Sequence, residues 1–151
     1  MSKTLVAYFT YSGNAKKVAE RVAQLADADI FEIVTKNAYS SDYQTCIEEA
    51  KKEVVANARP EITEKVQDMD KYDTVVVGFP NWCSTCPMAV LTFLEQYDLT
   101  GKKIYSFVTN GGGGCGRSTE DIAKSVKGAE VTESINGNDL SDDAIKQWLG
   151  L

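Results

Sequence analysis

Apolar residues in this chain fall into short, nearly unbroken runs separated by segments in which they return every three or four positions. Strand-like runs lie at 5–9, 30–34, 74–79 and 104–109, with a weaker alternating one at 129–135. Between them Val18, Val22 and Leu25 share one helical face, as do Ile47, Ala50 and Val54, then Leu91 and Leu94, then Ile122 and Val126. Leu140, Ala144 and Trp148 repeat the pattern near the C-terminus. Four of the strands are apolar at nearly every position, as burial on both faces requires. The strict alternation therefore predicts a doubly wound α/β fold, a five-stranded parallel sheet with helices on both sides. The longest stretch without a strand, 35–73, carries one helix; Pro60 is expected to end it, and the charged segment NARPEITEKVQDMDKYD to cross the surface. A chain of 151 residues can bury one core and is short for two, so one domain over 1–151 is expected.

Charge and residue usage narrow the chemistry. Sixteen Lys and Arg against 22 Asp and Glu give a net charge of −6, and no dense basic run is present to track a phosphate backbone, so nucleic acid is not an expected partner. There is no His, which removes Ser/His/Asp and Cys/His catalysis and every His metal ligand, and no catalytic or metal residue is assigned. The N-terminus lacks the pattern of a signal peptide, and no apolar run approaches a membrane span, so a soluble cytoplasmic chain without a membrane partner is expected. Cys46, Cys83, Cys86 and Cys115 are too sparse for the disulfide framework of a small secreted domain and read as thiols.

In a doubly wound sheet, ligands bind beyond the carboxyl ends of the strands, near the point where strand order reverses. Three loops there stand out. After the first strand comes TYSGNAKK, where Thr10, Ser12, Gly13 and Asn14 lead into a helix beginning near Ala15. Hydroxyls, a Gly for the tight turn and free N–H groups at a helix start suit a phosphate, although Ser12 or Asn14 could serve only as a helix cap. A Walker A sequence is absent, which argues against ATP. After the fourth strand, TNGGGGCGRSTED contains a literal GxGxxG in Gly111, Gly113 and Gly116. A nicotinamide dinucleotide site carries that fingerprint in its first strand-helix turn, whereas three strands precede it here. The run of glycines reads instead as backbone lying flat against a ligand, or as a merely flexible loop ahead of the next helix.

The third loop, NWCSTCP, places Cys83-x-x-Cys86 between a Trp and a Pro in the manner of a thioredoxin. Two strand-helix units precede it and no proline follows Pro87 to face the dithiol, so the likeness is local. The pair reads better as small, semi-buried residues than as a catalytic dithiol.

Taken together, TYSGNA, DYQTCIEEAKKEVVANARPEI and YDTVVVGFPNWCSTCPMAVLTFLEQYDLTGKKIYSFVTNGGGGCGRSTEDI resemble the short-chain flavodoxin-like proteins over essentially the whole chain. The resemblance implies a flavodoxin-like sheet of strand order 2-1-3-4-5 and FMN as cofactor. It implies that Thr10, Ser12, Gly13, Asn14 and Ala15 hold the FMN phosphate, with Tyr11 at the cofactor or its rim. Pro80, Asn81, Trp82, Cys83, Ser84 and Thr85 would flank the ring on one side, and Thr109, Asn110, Gly111, Gly112, Gly113, Gly114, Cys115 and Gly116 on the other. Ala15 stands where the family carries a Thr and Asn110 where it carries a His, while Cys83 and Cys115 occupy positions that are commonly aromatic. Trp82 is then the clear stacking candidate. The implied function is electron transfer between redox proteins, with the acidic net charge disfavouring an anionic reduced flavin and attracting a basic partner. Two alternatives stay open: an NAD(P)H-dependent quinone or FMN reductase, and a flavin-binding regulatory module.

Overall fold

The computed structural model describes residues 3–151. Along the chain it forms β1 (Thr4–Tyr8), α1 (Asn14–Ala26), β2 (Asp29–Glu32), α2 (Tyr43–Ala56), β3 (Thr74–Pro80), α3 (Met88–Glu95), β4 (Lys103–Thr109), α4 (Ser118–Ser125), β5 (Glu130–Val131), β6 (Ile135–Asn136) and α5 (Asp142–Leu149). The strands pair in parallel in the order β2-β1-β3-β4-β5, and β6 also pairs with β4. This is the expected 2-1-3-4-5 sheet. The chain leaves β1 towards β2 and returns to β3 on the other side of β1, so the loops after β1 and β3 meet at the reversal point.

The two-residue period of the strands sorts their side chains between two helical layers. Leu5, Ala7 and Phe9 pack with Val75, Val77 and Phe79 against Val90 and Leu94 of α3 and Ile122 of α4. On the opposite face Val6, Tyr8, Val76 and Phe107 meet Ala15, Ala19 and Val22 of α1 and Ile145 of α5. Gly78 is required between them, because an added Cβ would lie 1.9 Å from the Phe107 ring.

Four expectations need correction. Helix α2 ends at Asn57, not at Pro60: Asn57 takes a left-handed φ of 50° and its N–H closes on the last turn. The following segment is only partly a surface crossover, because Met69 and Tyr72 are buried, the Lys36 N–H donates to the Glu61 carbonyl and the Thr63 N–H donates to the Val34 carbonyl. The fifth strand is split into β5 and β6, because the Ser134 N–H turns away from the sheet and donates to Thr119 Oγ1 at 2.8 Å. At the C-terminus Leu140 precedes the helix, Ser141 caps it, and Ile145 is its buried residue.

Candidate functional site

Loop 10–13 turns sharply into α1. Gly13 adopts φ 95°, and its N–H donates to Thr10 Oγ1 at 2.9 Å, so Thr10 braces the turn. Neither Ser12 nor Asn14 caps the helix: Gly13 is the cap residue, no side chain accepts from the first turn, and that turn contains no acidic residue. By contrast, Asp42 caps α2 and Ser141 caps α5. The first N–H groups of α1 thus have no capping side chain, and together with the exposed Ser12 and Asn14 they suit an oxyanion such as a phosphate. Ala15 points its methyl into the core and can offer only its main-chain N–H.

Beside this turn, loops from three strands enclose a cleft of about 270 Å³ lined by Tyr11, Ser12, Asn14, Tyr43, Pro80, Asn81, Trp82, Thr109, Asn110 and Gly111. No side chain in that lining is charged. Trp82 is half-buried and held edge-on by Phe9, Tyr39 and Tyr11, with ring centroids 5.1, 4.9 and 5.9 Å away. An added Cβ at Gly111 would meet no atom within 4 Å, so the main chain there borders open space that a planar ligand can fill. Cleft and turn fit a phosphate carrying an aromatic body.

The loops after β3 and β4 are clasped together. Asn81 Nδ2 donates to the Gly114 carbonyl at 2.9 Å, and the Arg117 N–H donates to the Ser84 carbonyl at 2.7 Å. At Gly116, a Cβ would fall 2.1 Å from that same Ser84 oxygen. This glycine therefore serves loop-to-loop packing, and Gly112, Gly113, Gly114 and Cys115 do not line the cleft. Thr85 is wholly buried and bonds the Asp121 carboxylate of α4, so its side chain turns away from the cleft.

The two cysteines of NWCSTCP diverge. Trp82 and Thr85 exchange main-chain bonds of 2.9 and 3.1 Å across a tight turn whose central residues, Cys83 and Ser84, have φ values of 55° and 66°. The turn leaves Cys83 half-buried beside the cleft and sends Cys86 into the core. Burial pushes the Cys86 thiol up to about 12. Burial also raises Cys83, against the nearby Lys51, and raises Cys46 and Cys115. All four cysteines are free, and with Cys86 closed in the core the pair lacks the accessible, lowered-pKa thiol of a thioredoxin dithiol.

Sequence reasoning missed two contributors. From the long 35–73 connection, Tyr43 lines the cleft and Tyr39 packs on Trp82, and there the Tyr11 hydroxyl donates to the Ser40 carbonyl at 2.6 Å. Asn136 at the end of β6 and Asn138 just beyond it fix the rim: Asn110 Nδ2 donates to Asn136 Oδ1 at 3.1 Å, and Asn138 Nδ2 donates to the Asn110 carbonyl at 2.7 Å. NGND after the fifth strand was the available signal for the second pair, since it too follows a strand's carboxyl end.

The fold has close parallels. A candidate flavoprotein from Bacteroides eggerthii superposes with a TM-score of 0.91 at 30% identity, over 99% of this chain and 97% of that one. One from Bacteroides uniformis gives 0.88 at 28%, over 99% of each chain. A Lactobacillus acidophilus flavoprotein in complex with FMN gives 0.81 at 23%, again over 99% of each, which is a likeness of fold. No curated protein matches the sequence significantly. A flavodoxin family model matches residues 3–150, so the chain that builds this three-loop cleft belongs to the flavodoxin family.

Proposed function

We propose that the cleft binds FMN and that the protein carries electrons between redox partners. The observation that carries this reading is the uncapped start of α1 opening beside a cleft walled by Trp82, Asn110 and Gly111. Bound there, FMN supplies the electron chemistry. Ser12, Asn14 and the first N–H groups of α1 hold the phosphate, while Asn81, Trp82, Asn110 and the Gly111 main chain contact the ring. Three or four charge-assisted hydrogen bonds contribute about 5 kcal/mol or more, which alone is about millimolar affinity or somewhat better. Tight binding therefore draws on the ring, through Trp82 and Tyr11. The protein's net charge of −6 makes a basic partner surface the natural complement, with association that slows as salt rises.

The test is the visible spectrum of the purified protein, with mass identification of any molecule released on denaturation, followed by reductive titration. A flavin spectrum, released FMN and two separated one-electron steps are expected. Colourless protein that also fails to bind added FMN overturns the cofactor assignment. A single two-electron step with turnover of NADPH and a quinone overturns the carrier role in favour of a reductase.

A further inference from the structure

We propose that a second cavity, of about 440 Å³ between α2 and the turn at 82–85, binds a small planar aromatic monoanion, its ring against Trp82 and its anionic group on Lys51. The walls are mostly apolar or weakly polar: Cys46, Ile47 and Ala50 from α2, and Trp82 and Cys83 from the turn. Lys51 is the one charged side chain in the lining, and among the described residues it enters no ion pair. Its ammonium lies close enough to Cys83 to oppose the effect of burial on that thiol. Burial raises both lining thiols, and the carboxylates that act on Cys46, Glu49 and Glu53, lie outside the lining and accept from the Ser40 N–H and the Tyr39 hydroxyl.

A single cation at the edge of an apolar chamber selects an apolar body with one negative charge. A dianion or a zwitterion would bring in a second charge without a partner. The Tyr11 hydroxyl, which could otherwise compete, is committed to the Ser40 carbonyl. Cys83 and Ser84 shape the wall in left-handed backbone conformations that non-glycine residues rarely hold, a form of strain that clusters at ligand clamps. Tyr11, Tyr43, Asn81 and Trp82 line both this cavity and the cleft, so an occupant here neighbours whatever the cleft holds. Only that adjacency to FMN rests on the function proposed above; the chamber and its charge do not.

The test is calorimetric titration of the FMN-loaded protein with 2-naphthoate and, as a neutral control, 2-naphthamide. Naphthoate is expected to bind one per chain, about tenfold more tightly than the amide. In Lys51→Met, a substitution at an exposed position, that preference is expected to vanish while FMN stays bound. Absence of binding, equal affinity for the two probes, or a preference that survives Lys51→Met overturns the proposal. Displacement of FMN by naphthoate also overturns it, because the chamber then belongs to the cofactor's own site, yet leaves FMN binding intact. Should FMN fail to load while naphthoate still binds with a Lys51-dependent preference, the cleft assignment falls and the pocket stands.

Discussion

Two glycines of the same loop, Gly111 and Gly116, are expected to respond to alanine in opposite ways. Gly116→Ala places a Cβ 2.1 Å from the Ser84 oxygen and 2.5 Å from its carbonyl carbon, at a backbone φ of +56°. Ser84 cannot swing aside freely, because its carbonyl accepts the Arg117 N–H at 2.7 Å. The left-handed conformation costs an alanine about 1–2 kcal/mol, and forcing the two loops apart about 1–3 kcal/mol. The stiffer unfolded chain returns about 0.4–1 kcal/mol. The net is a loss of about 1–4.5 kcal/mol, centred near 3, which for a urea slope near 2 kcal/mol/M lowers the midpoint by about 1.5 M. Gly111→Ala meets no atom within 4 Å and has no left-handed backbone, so its stability should stay within about 1 kcal/mol of the parent. Its methyl instead enters the cleft wall, and FMN binding should weaken about tenfold, equivalent to about 1.4 kcal/mol. Urea unfolding of the FMN-free proteins, followed by far-UV circular dichroism, reads the first effect, and quenching of FMN fluorescence on titration reads the second. Unfolding of Gly116→Ala at the parent midpoint would refute the clasp, and undiminished FMN affinity in Gly111→Ala would refute contact between that main chain and the ring.

Four further outcomes are expected. FMN should bind tighter than riboflavin by on the order of a thousandfold or more, since the α1 turn offers several donors to a phosphate; equal affinities would sink the assignment of residues 10–15. Thr85→Val should cost about 1–3 kcal/mol in urea unfolding by leaving the Asp121 carboxylate without its donor, with FMN affinity within about twofold; weaker FMN binding at unchanged stability would put Thr85 back at the cofactor. Replacing Cys83 and Cys86 together by Ala should leave the flavin midpoint potential the same under oxidising and reducing conditions, because one thiol faces the second cavity and the other the core; a shift confined to the parent under oxidation would reveal a disulfide between them. Stability should also fall in alkali. The Cys86 thiol is raised from 9.0 to about 12 by burial, and the Tyr72 phenol from 10.0 to about 12 by burial and the Asp29 carboxylate it bonds. The folded state thus holds these protons more firmly than the unfolded chain, and their contribution is complete below about pH 9 and lost as the pH rises towards 12. A flat stability profile from pH 8 to 11 would contradict this.

What could be read from the sequence alone was whatever depends on local pattern. Continuous apolar runs mean strands buried on both faces, and their alternation with helical periods leaves the parallel sheet as the solution, so β1, β3 and β4 were legible at nearly their true limits. The turn at 10–13 was legible too, because hydroxyls and a glycine before a helix are a local signature. The glycine run was legible only as a run: nothing local separates Gly111, which borders open space, from Gly116, which lies against the backbone of another loop. The direction of a side chain beyond a strand end was equally out of reach. Thr85 and Cys86 look like neighbours of Trp82 in the sequence, but two left-handed residues reverse the chain and commit both to the interior. Tyr43 and Lys51 reach the cavities only because α2 packs beside a loop that follows in the chain by some thirty residues or more, and Asn138 reaches Asn110 only because β6 pairs with β4. Periodicity records which face of an element is apolar, and so determines the elements and their layering. Which polar groups meet at the ends of those elements is decided by long-range packing, where a single Cβ or one positive φ redirects a side chain from cleft to core.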